Sequence, residues 1–293
     1  MPSIRVYAMR RAARILPGFY LALVVTFILS IAVFGAKLDG QLLLRLASGL
    51  LLVADWHWVT LFPVEVNGPL WSICFEITSY VLLPFCFALL FFSARWLSAG
   101  WVSRLLWIGV IALVLVVHWL FTRYFPIDSA RRGWDFGMMG GAKYWMPRYN
   151  PFAFFAMFAI GALAGGVQVM LAKHRNMLFD VLALIGIGLS IFAMVRQMQA
   201  PKPEGWGWLG VPYGFPWFIL AVALFLATAP SSAWVGRLLD NPVTRYVARI
   251  SFGIYIYHYI VLELVRVYWA PDIDHGKMAD PIKFLVTSAI ITA

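Results

Sequence analysis

Charge is what this sequence most conspicuously lacks. Only 12% of its 293 residues are Asp, Glu, Lys or Arg, about half the share of a soluble domain, and the acidic ones number 13. Set against 62% hydrophobic residues, that scarcity excludes a water-soluble globule and a disordered chain alike. Cysteine is as scarce. Cys74 and Cys86 share one apolar block with Pro84 between them, which is neither a disulfide framework nor metal-ligand spacing, so both read as packing residues. No pair among the five histidines has ligand spacing, and no metal site is expected. A cleavable signal peptide is also missing: residues 1–17 carry four arginines and no small-residue cleavage site, so the first apolar block is expected to be retained. With no internal repeat, low-complexity run or internal boundary, residues 1–293 read as a single domain.

What is present is a succession of apolar blocks. They run approximately over residues 17–36, 42–62, 70–92, 105–121, 151–171, 178–195, 212–229 and 250–269, with a last one starting near Ile282. Most match the roughly 17 to 25 residues that cross a bilayer as a helix. The expected fold is an all-α polytopic transmembrane helix bundle of about eight spans, within limits of about seven and nine. The second block is the exception. Arg45, Asp55 and His57 interrupt it, and a charge at a helix centre costs about 2.5 to 3.5 kcal/mol on insertion scales, so crossing, re-entrant and interfacial arrangements all stay open.

Basic residues outnumber acidic ones 23 to 13, but they sit mostly between apolar blocks, as juxtamembrane charge does, and no nucleic acid is expected as a partner. Arg5, Arg10, Arg11 and Arg14 directly before the first span favour a cytoplasmic start. If the second block does not cross, Arg95, Arg104, Lys173, Arg175, Arg237, Arg245 and Arg249 share that side, and the basic residues from Arg123 to Arg148 take the other; if it does cross, these assignments invert. The stretch from Arg123 to Asn150 has the Gly and aromatic content of a loop over a cavity mouth. Its Trp134, Tyr144, Trp145 and Tyr149 suit stacking on sugar rings or an interfacial aromatic belt equally well.

Two blocks carry polar stripes that lipid cannot satisfy. In N67-G-P-L-W-S-I-C-F-E-I-T-S-Y-V-L-L-P84, Ser72, Glu76, Ser79 and Tyr80 recur at helical spacing. In I250-S-F-G-I-Y-I-Y-H-Y-I-V-L-E263, Ser251, Tyr255 and His258 do the same. Such stripes are best buried against each other or against a watery cavity, which makes Glu76 and His258 candidate neighbours. A carboxylate bonded to one imidazole nitrogen fixes the tautomer and raises basicity at the other, as deprotonation of a hydroxyl in acyl transfer requires; the alternative is that both merely tie helices together. Glu263 lies about 140° round the helix from His258 at about 100° per residue, and belongs to the helix end.

The remaining polar groups read as structural. His57 between Trp56 and Trp58 fits an interfacial belt, His118 in its apolar run a satisfied helix histidine, and His174 between Lys173 and Arg175 a solvated loop. Gly161 and Gly165 form a small-xxx-small face expected to mediate close helix packing.

Taken together, three segments resemble the acyltransferase-3 family of integral membrane acyltransferases. R10-R-A-A-R-I-L-P17 is similar to that family's arginine pair, aliphatic pair and Pro at the cytoplasmic start of a span. Residues 67–84 are similar to its Asn, Leu-Trp-Ser, Glu, Tyr and Pro signature, and residues 250–259 to its Ile-Ser-Tyr, Tyr-Leu and His signature. Phe154 to Gly165 also resembles its middle helix, so the likeness covers nearly the whole chain in order. The resemblance implies transfer of an acyl group, most often acetyl from acetyl-CoA on the cytoplasmic side, to a carbohydrate hydroxyl outside or in the outer half of the membrane. It implies Arg11 and Arg14, with Arg10 beside them, as contacts for the CoA phosphates. It makes Glu76, His258, Ser72 and Tyr255 the catalytic candidates, and Asn67, Trp71 and Ser251 the substrate-binding ones.

Members of that family begin with a further membrane helix that carries a basic residue and a His thought to be the catalytic base. Only Met1–Met9 precede the arginine motif here, and residue 293 falls inside an apolar run, so the chain is expected to be a fragment truncated at both ends, the alternative being a divergent member that has lost the base. The expected protein is a membrane O-acyltransferase, in a bacterial inner membrane, acting on a cell-surface glycan, glycolipid or exported small molecule. Acyl-CoA is its donor substrate, no cofactor is permanently bound, and the bilayer and the carbohydrate acceptor are its other partners. The alternatives are a transporter or exporter of a glycan or lipid-linked intermediate, since polar helices around a midplane cavity also form substrate pathways, and a purely structural membrane subunit.

Overall fold

The structure is a computed structural model that describes residues 3–94, 100–171, 175–199 and 207–268. The apolar block beginning near Ile282, together with Arg95, Lys173 and His174, lies outside the described residues. In chain order the helices are α1 (Ile4–Ala32), α2 (Gly40–Leu50), α3 (Trp71–Ala94), α4 (Gly100–Tyr124), α5 (Gly137–Trp145), α6 (Pro151–Leu171), α7 (Met177–Gln199), α8 (Trp217–Thr228), α9 (Val235–Leu239) and α10 (Pro242–Tyr268). The described residues contain no strand beyond an isolated bridge of Asn176 with Ser232. Six of the helices, α1, α3, α4, α6, α7 and α10, are long and apolar enough to cross a membrane. Large apolar side chains such as Leu184, Phe192 and Leu113 lie exposed on them, as lipid-facing residues do.

The second apolar block does not form a span. Asp39 caps α2, its Oδ1 accepting from the Leu42 N–H at 2.8 Å, and α2 ends after 11 residues. At about 1.5 Å per residue, that is roughly half a hydrocarbon core. An irregular stretch follows from residue 51 to the turn at Gly68–Leu70, with Leu52 at a φ of 62°.

Chain contacts gather the protein into two units, each drawn from separate stretches of sequence. The first takes in the described parts of 1–74, 131–144 and 246–268. There α1 meets α10 at Gly18, where an added Cβ would lie 3.5 Å from Phe252 Cε1 and from Ile256 Cδ1, with Phe19, Leu23 and Ile256 fully buried alongside. Gly49 lets α2 approach the irregular stretch, since a Cβ there would stand 2.8 Å from Pro63 Cβ and 3.2 Å from Leu23. Trp134 sets its ring edge on Phe62 at 5.7 Å, and Lys143 Nζ stands 4.2 Å from the Trp58 ring centroid, so residues 131–144 pack on the irregular stretch. His57, between Trp56 and Trp58, accepts the Val59 N–H on its Nδ1, and burial holds its imidazole below the usual range.

The second unit covers 75–130 and 145–245. Its α6 packs through small residues: Ala153, Ala156, Ala159 and Ala164 are buried, and Trp107 Nε1 of α4 donates to the Ala159 carbonyl at 2.7 Å. Gly161 and Gly165 do not form the expected packing face. Among the described residues nothing lies within 4 Å of a Cβ built on either, because the side of the helix that carries Ala153, Ala156 and Ala159 is the one turned inward. The close approach is at Gly186 of α7, where a Cβ would come 2.8 Å from the Phe225 N and 3.0 Å from the Ala221 carbonyl of α8.

Helix α8 has only 12 residues, yet the chain through it returns to the level at which α7 begins. Near that beginning the Asp180 carboxylate accepts the backbone N–H groups of Ala233, Trp234 and Val235 at 2.8 to 3.0 Å, capping α9. Trp145 stacks on Tyr149 at 4.6 Å, so those two rings of the long loop are engaged with each other.

His118 is satisfied on both sides. Asn150 Oδ1 accepts the Phe152 and Ala153 N–H groups at the start of α6, which fixes its Nδ2 as donor to His118 Nδ1 at 2.8 Å; His118 Nε2 then donates to the Leu209 carbonyl at 3.1 Å. The imidazole is thereby held neutral in a single tautomer, tying α4, α6 and the turn before α8 together.

Two glycine substitutions separate these packing arguments. Gly186→Ala is expected to destabilise the protein by about 1–3 kcal/mol through overpacking against α8. Gly161→Ala is expected to be neutral or stabilising, because it adds only a helix-favouring methyl in open space. Thermal unfolding of both variants in the same detergent checks the contrast.

Candidate active site

The site in the first unit begins with Arg45, a buried arginine on α2. Its Nε donates to the Phe62 carbonyl at 2.6 Å, its Nη2 to the Val64 carbonyl at 3.0 Å, and its Nη1 pairs with the Glu65 carboxylate. The carbonyls of Phe62 and Val64 both face α2, and the planar fork of a guanidinium spans them. The next carbonyl, of Glu65, lies 3.1 Å from the Ser30 hydroxyl and accepts the Asn67 N–H at 2.8 Å. That second bond closes a three-residue turn over Val66, whose φ is 68°. A turn of this hand is rare, and at a β-branched residue it carries strain of about 1–3 kcal/mol.

Beyond the turn the polar side chains converge. Asn67 is fully buried; its Nδ2 donates to the Ile256 carbonyl at 3.1 Å and to Thr26 Oγ1 at 3.3 Å. A carbonyl only accepts, so the amide orientation is fixed, and Asn67 Oδ1 has no hydrogen-bond partner among the described residues. Gly68 and Pro69 then turn the chain into α3. The hydroxyls of Ser72 and Tyr255 share a hydrogen bond at 2.5 Å, and each oxygen also lies 3.2 Å from the Pro69 carbonyl. Two protons serve these three contacts, so one hydroxyl donates across the pair while the other donates to Pro69.

His258 stands one turn beyond Tyr255 on α10. Its Nδ1 meets the carbonyls of Tyr255 at 2.8 Å and Ile254 at 3.2 Å. Carbonyls accept only, so Nδ1 carries a proton, and the nitrogen through which the ring can take or release one is Nε2. The other sequence candidates are placed apart from this cluster. Ser251 is exposed and donates to the Ala248 carbonyl of its own helix at 3.0 Å. Trp71 is buried at 7% exposure, and its indole belongs to the packed interior. Arg10 and Arg14 are exposed on one face at the start of α1 and make no ion pair among the described residues, whereas Arg11 turns toward the Tyr7 ring, 5.8 Å from its centroid.

Glu76 belongs to the second unit, where its Oε1 accepts from the Tyr80 hydroxyl at 2.7 Å. Ser79 beside it is fully buried, and its Oγ has no partner among the described residues. The bonds of Glu76 and of His258 thus run within their own helices. Glu263 is buried and paired with Arg266 at 2.8 Å.

Sequence reasoning missed Arg45, Glu65, Thr26 and Ser30 as parts of this site. Arg45 was visible as a charge in an apolar block, but its principal partners are backbone carbonyls, which leave no mark in a sequence. Thr26 and Ser30 stand four apart on α1 and are both buried, a short polar stripe that helical spacing could have revealed.

The acyltransferase domain model of the acyltransferase-3 family matches residues 2–293. Neither a curated protein nor a solved structure matches the chain. The chain therefore belongs to the acyltransferase-3 family and is an integral membrane acyltransferase.

Proposed function

We propose that the protein transfers an acyl group, acetyl in the leading case, from acyl-CoA to a hydroxyl of a cell-surface or exported carbohydrate. The observation that carries this reading is that His258 turns Nδ1 toward the Tyr255 and Ile254 carbonyls, so that Nε2 is the nitrogen available to act as a base, in the same unit as the Ser72–Tyr255 hydroxyl pair. In the proposed step Nε2 takes the proton of the acceptor hydroxyl as its oxygen attacks the thioester carbonyl. The resulting oxyanion draws on the Ser72 and Tyr255 hydroxyls, one of which gives up its bond to Pro69. Collapse expels the CoA thiolate, which recovers the proton from the imidazolium, leaving an ester and a free thiol. Arg10 and Arg14 hold the CoA phosphates, and Arg11 lies beside them. Asn67 shapes the site from within; Trp71 is assigned by family resemblance, and Ser251 and Glu76 by their polar stripes together with that resemblance.

Labelled acetyl-CoA supplied to membranes containing the full-length protein tests the reading. His258→Gln is expected to lower acylation by about 100-fold or more at normal abundance, the usual scale for loss of a general base. Wild-type activity in that variant would remove His258 from the mechanism, and substrate counterflow with no CoA-dependent product would favour a transporter. Arg14→Ala should raise KM for acyl-CoA by about tenfold or more, as expected for the loss of a charge-assisted phosphate contact, with kcat much less affected. Tyr255→Phe and Ser72→Ala should each slow turnover, and their double variant should cost less than the product of the two single effects, because they share one hydrogen bond. Full additivity would show that the two hydroxyls act separately.

A further inference from the structure

The irregular stretch before α3 is held by a group to which the proposed chemistry assigns no role. Arg45 is 2% exposed and reaches the carbonyls of Phe62 and Val64 and the carboxylate of Glu65 at once. Glu65 then supplies the carbonyl that closes the turn over Val66, and the residue leaving that turn is Asn67. Asn67 is bonded to α1 through Thr26 and to α10 through the Ile256 carbonyl, one residue beyond Tyr255. Pro69, two residues further on, accepts from the Ser72–Tyr255 pair. A continuous run of bonds thus leads from one buried guanidinium to the Ser72 and Tyr255 hydroxyls.

We infer that Arg45 is a positioning residue for acyl transfer: by fixing residues 62–65 it imposes the positive-φ turn at Val66 and so sets the register at which Asn67, Pro69 and Ser72 meet Tyr255. This rests on the assignment of the Ser72–Tyr255 cluster to the reaction. Lysine carries the same charge but presents a point donor, unable to span two carbonyls and a carboxylate together. At residue 66, valine adopts a positive φ only when held there, whereas glycine adopts it without being held. The consequence of losing the fork is a displaced hydroxyl pair, which slows the chemical step and leaves the donor-binding arginines of α1 untouched.

The test measures kcat and KM for acetyl-CoA in the full-length protein, with abundance and monodispersity in detergent recorded for each variant. Arg45→Lys is expected to lower kcat by about tenfold or more, with KM changed by less than about twofold. Val66→Gly alone is expected to stay within about twofold of wild type, and in the Arg45→Lys background to restore kcat by about threefold or more. If Arg45→Lys does not accumulate, Glu65→Gln takes its place, keeping both carbonyl bonds while removing the ionic partner, and the same split is expected at smaller size. Unchanged kcat in the variant tested, loss of activity only in proportion to folded protein, or no recovery with Val66→Gly would each overturn the inference. Activity retained in both Tyr255→Phe and His258→Gln would instead overturn the underlying site assignment, and the two failures are read from different variants.

Discussion

Arg45 makes its bonds from a helix too short to cross a bilayer, and the polar cluster of Asn67, Ser72 and Tyr255 follows the segment that this fork holds. Non-helical backbone is tolerated in a membrane protein only where its carbonyls and N–H groups find partners inside the protein. In residues 62–65 one guanidinium serves the carbonyls of Phe62 and Val64 and the Glu65 carboxylate, and the Asn67 N–H serves the Glu65 carbonyl. Burying Arg45 without these acceptors would cost several kcal/mol, so the charge and the loop require one another. The same segment then delivers Asn67 and Pro69 to α1 and α10, where the hydroxyls of Ser72 and Tyr255 converge.

The second unit follows a different logic. Its helices approach through alanines on α6 and through Gly186 on α7, where dispersion and close backbone contact replace a hydrophobic effect that lipid does not supply. Its polar groups act as fasteners at helix ends. Asp180 collects three N–H groups ahead of α9, and Asn150 caps α6 while holding His118. Such groups can stand in a membrane protein because nearly every donor and acceptor they carry is engaged.

Much of this was legible in the sequence. The length of the apolar blocks gave the helical class, and hydroxyl and imidazole groups at helical spacing marked the faces of α3 and α10 that carry Ser72, Tyr255 and His258. His118 was correctly read as a satisfied histidine, since an apolar run leaves it few other roles. The misreadings share a cause. Gly161 and Gly165 satisfied a packing pattern, but a pattern does not say which side of a helix faces its neighbour, and Ala156 and Ala159 took that place. The block at 212–229 read as one continuous span, whereas α8 is short and is preceded by a turn in which Leu209 and Tyr213 adopt positive φ. Arg45 was noticed only as an obstacle to crossing, because its reward, two backbone carbonyls, is chosen by the tertiary path and has no residue identity.

The engagement of the carbonyls of Phe62, Val64, Glu65 and Pro69 within the protein has a consequence for how the family can diversify. Side chains along the segment can therefore be exchanged while the backbone that carries them stays held by donors of the protein itself.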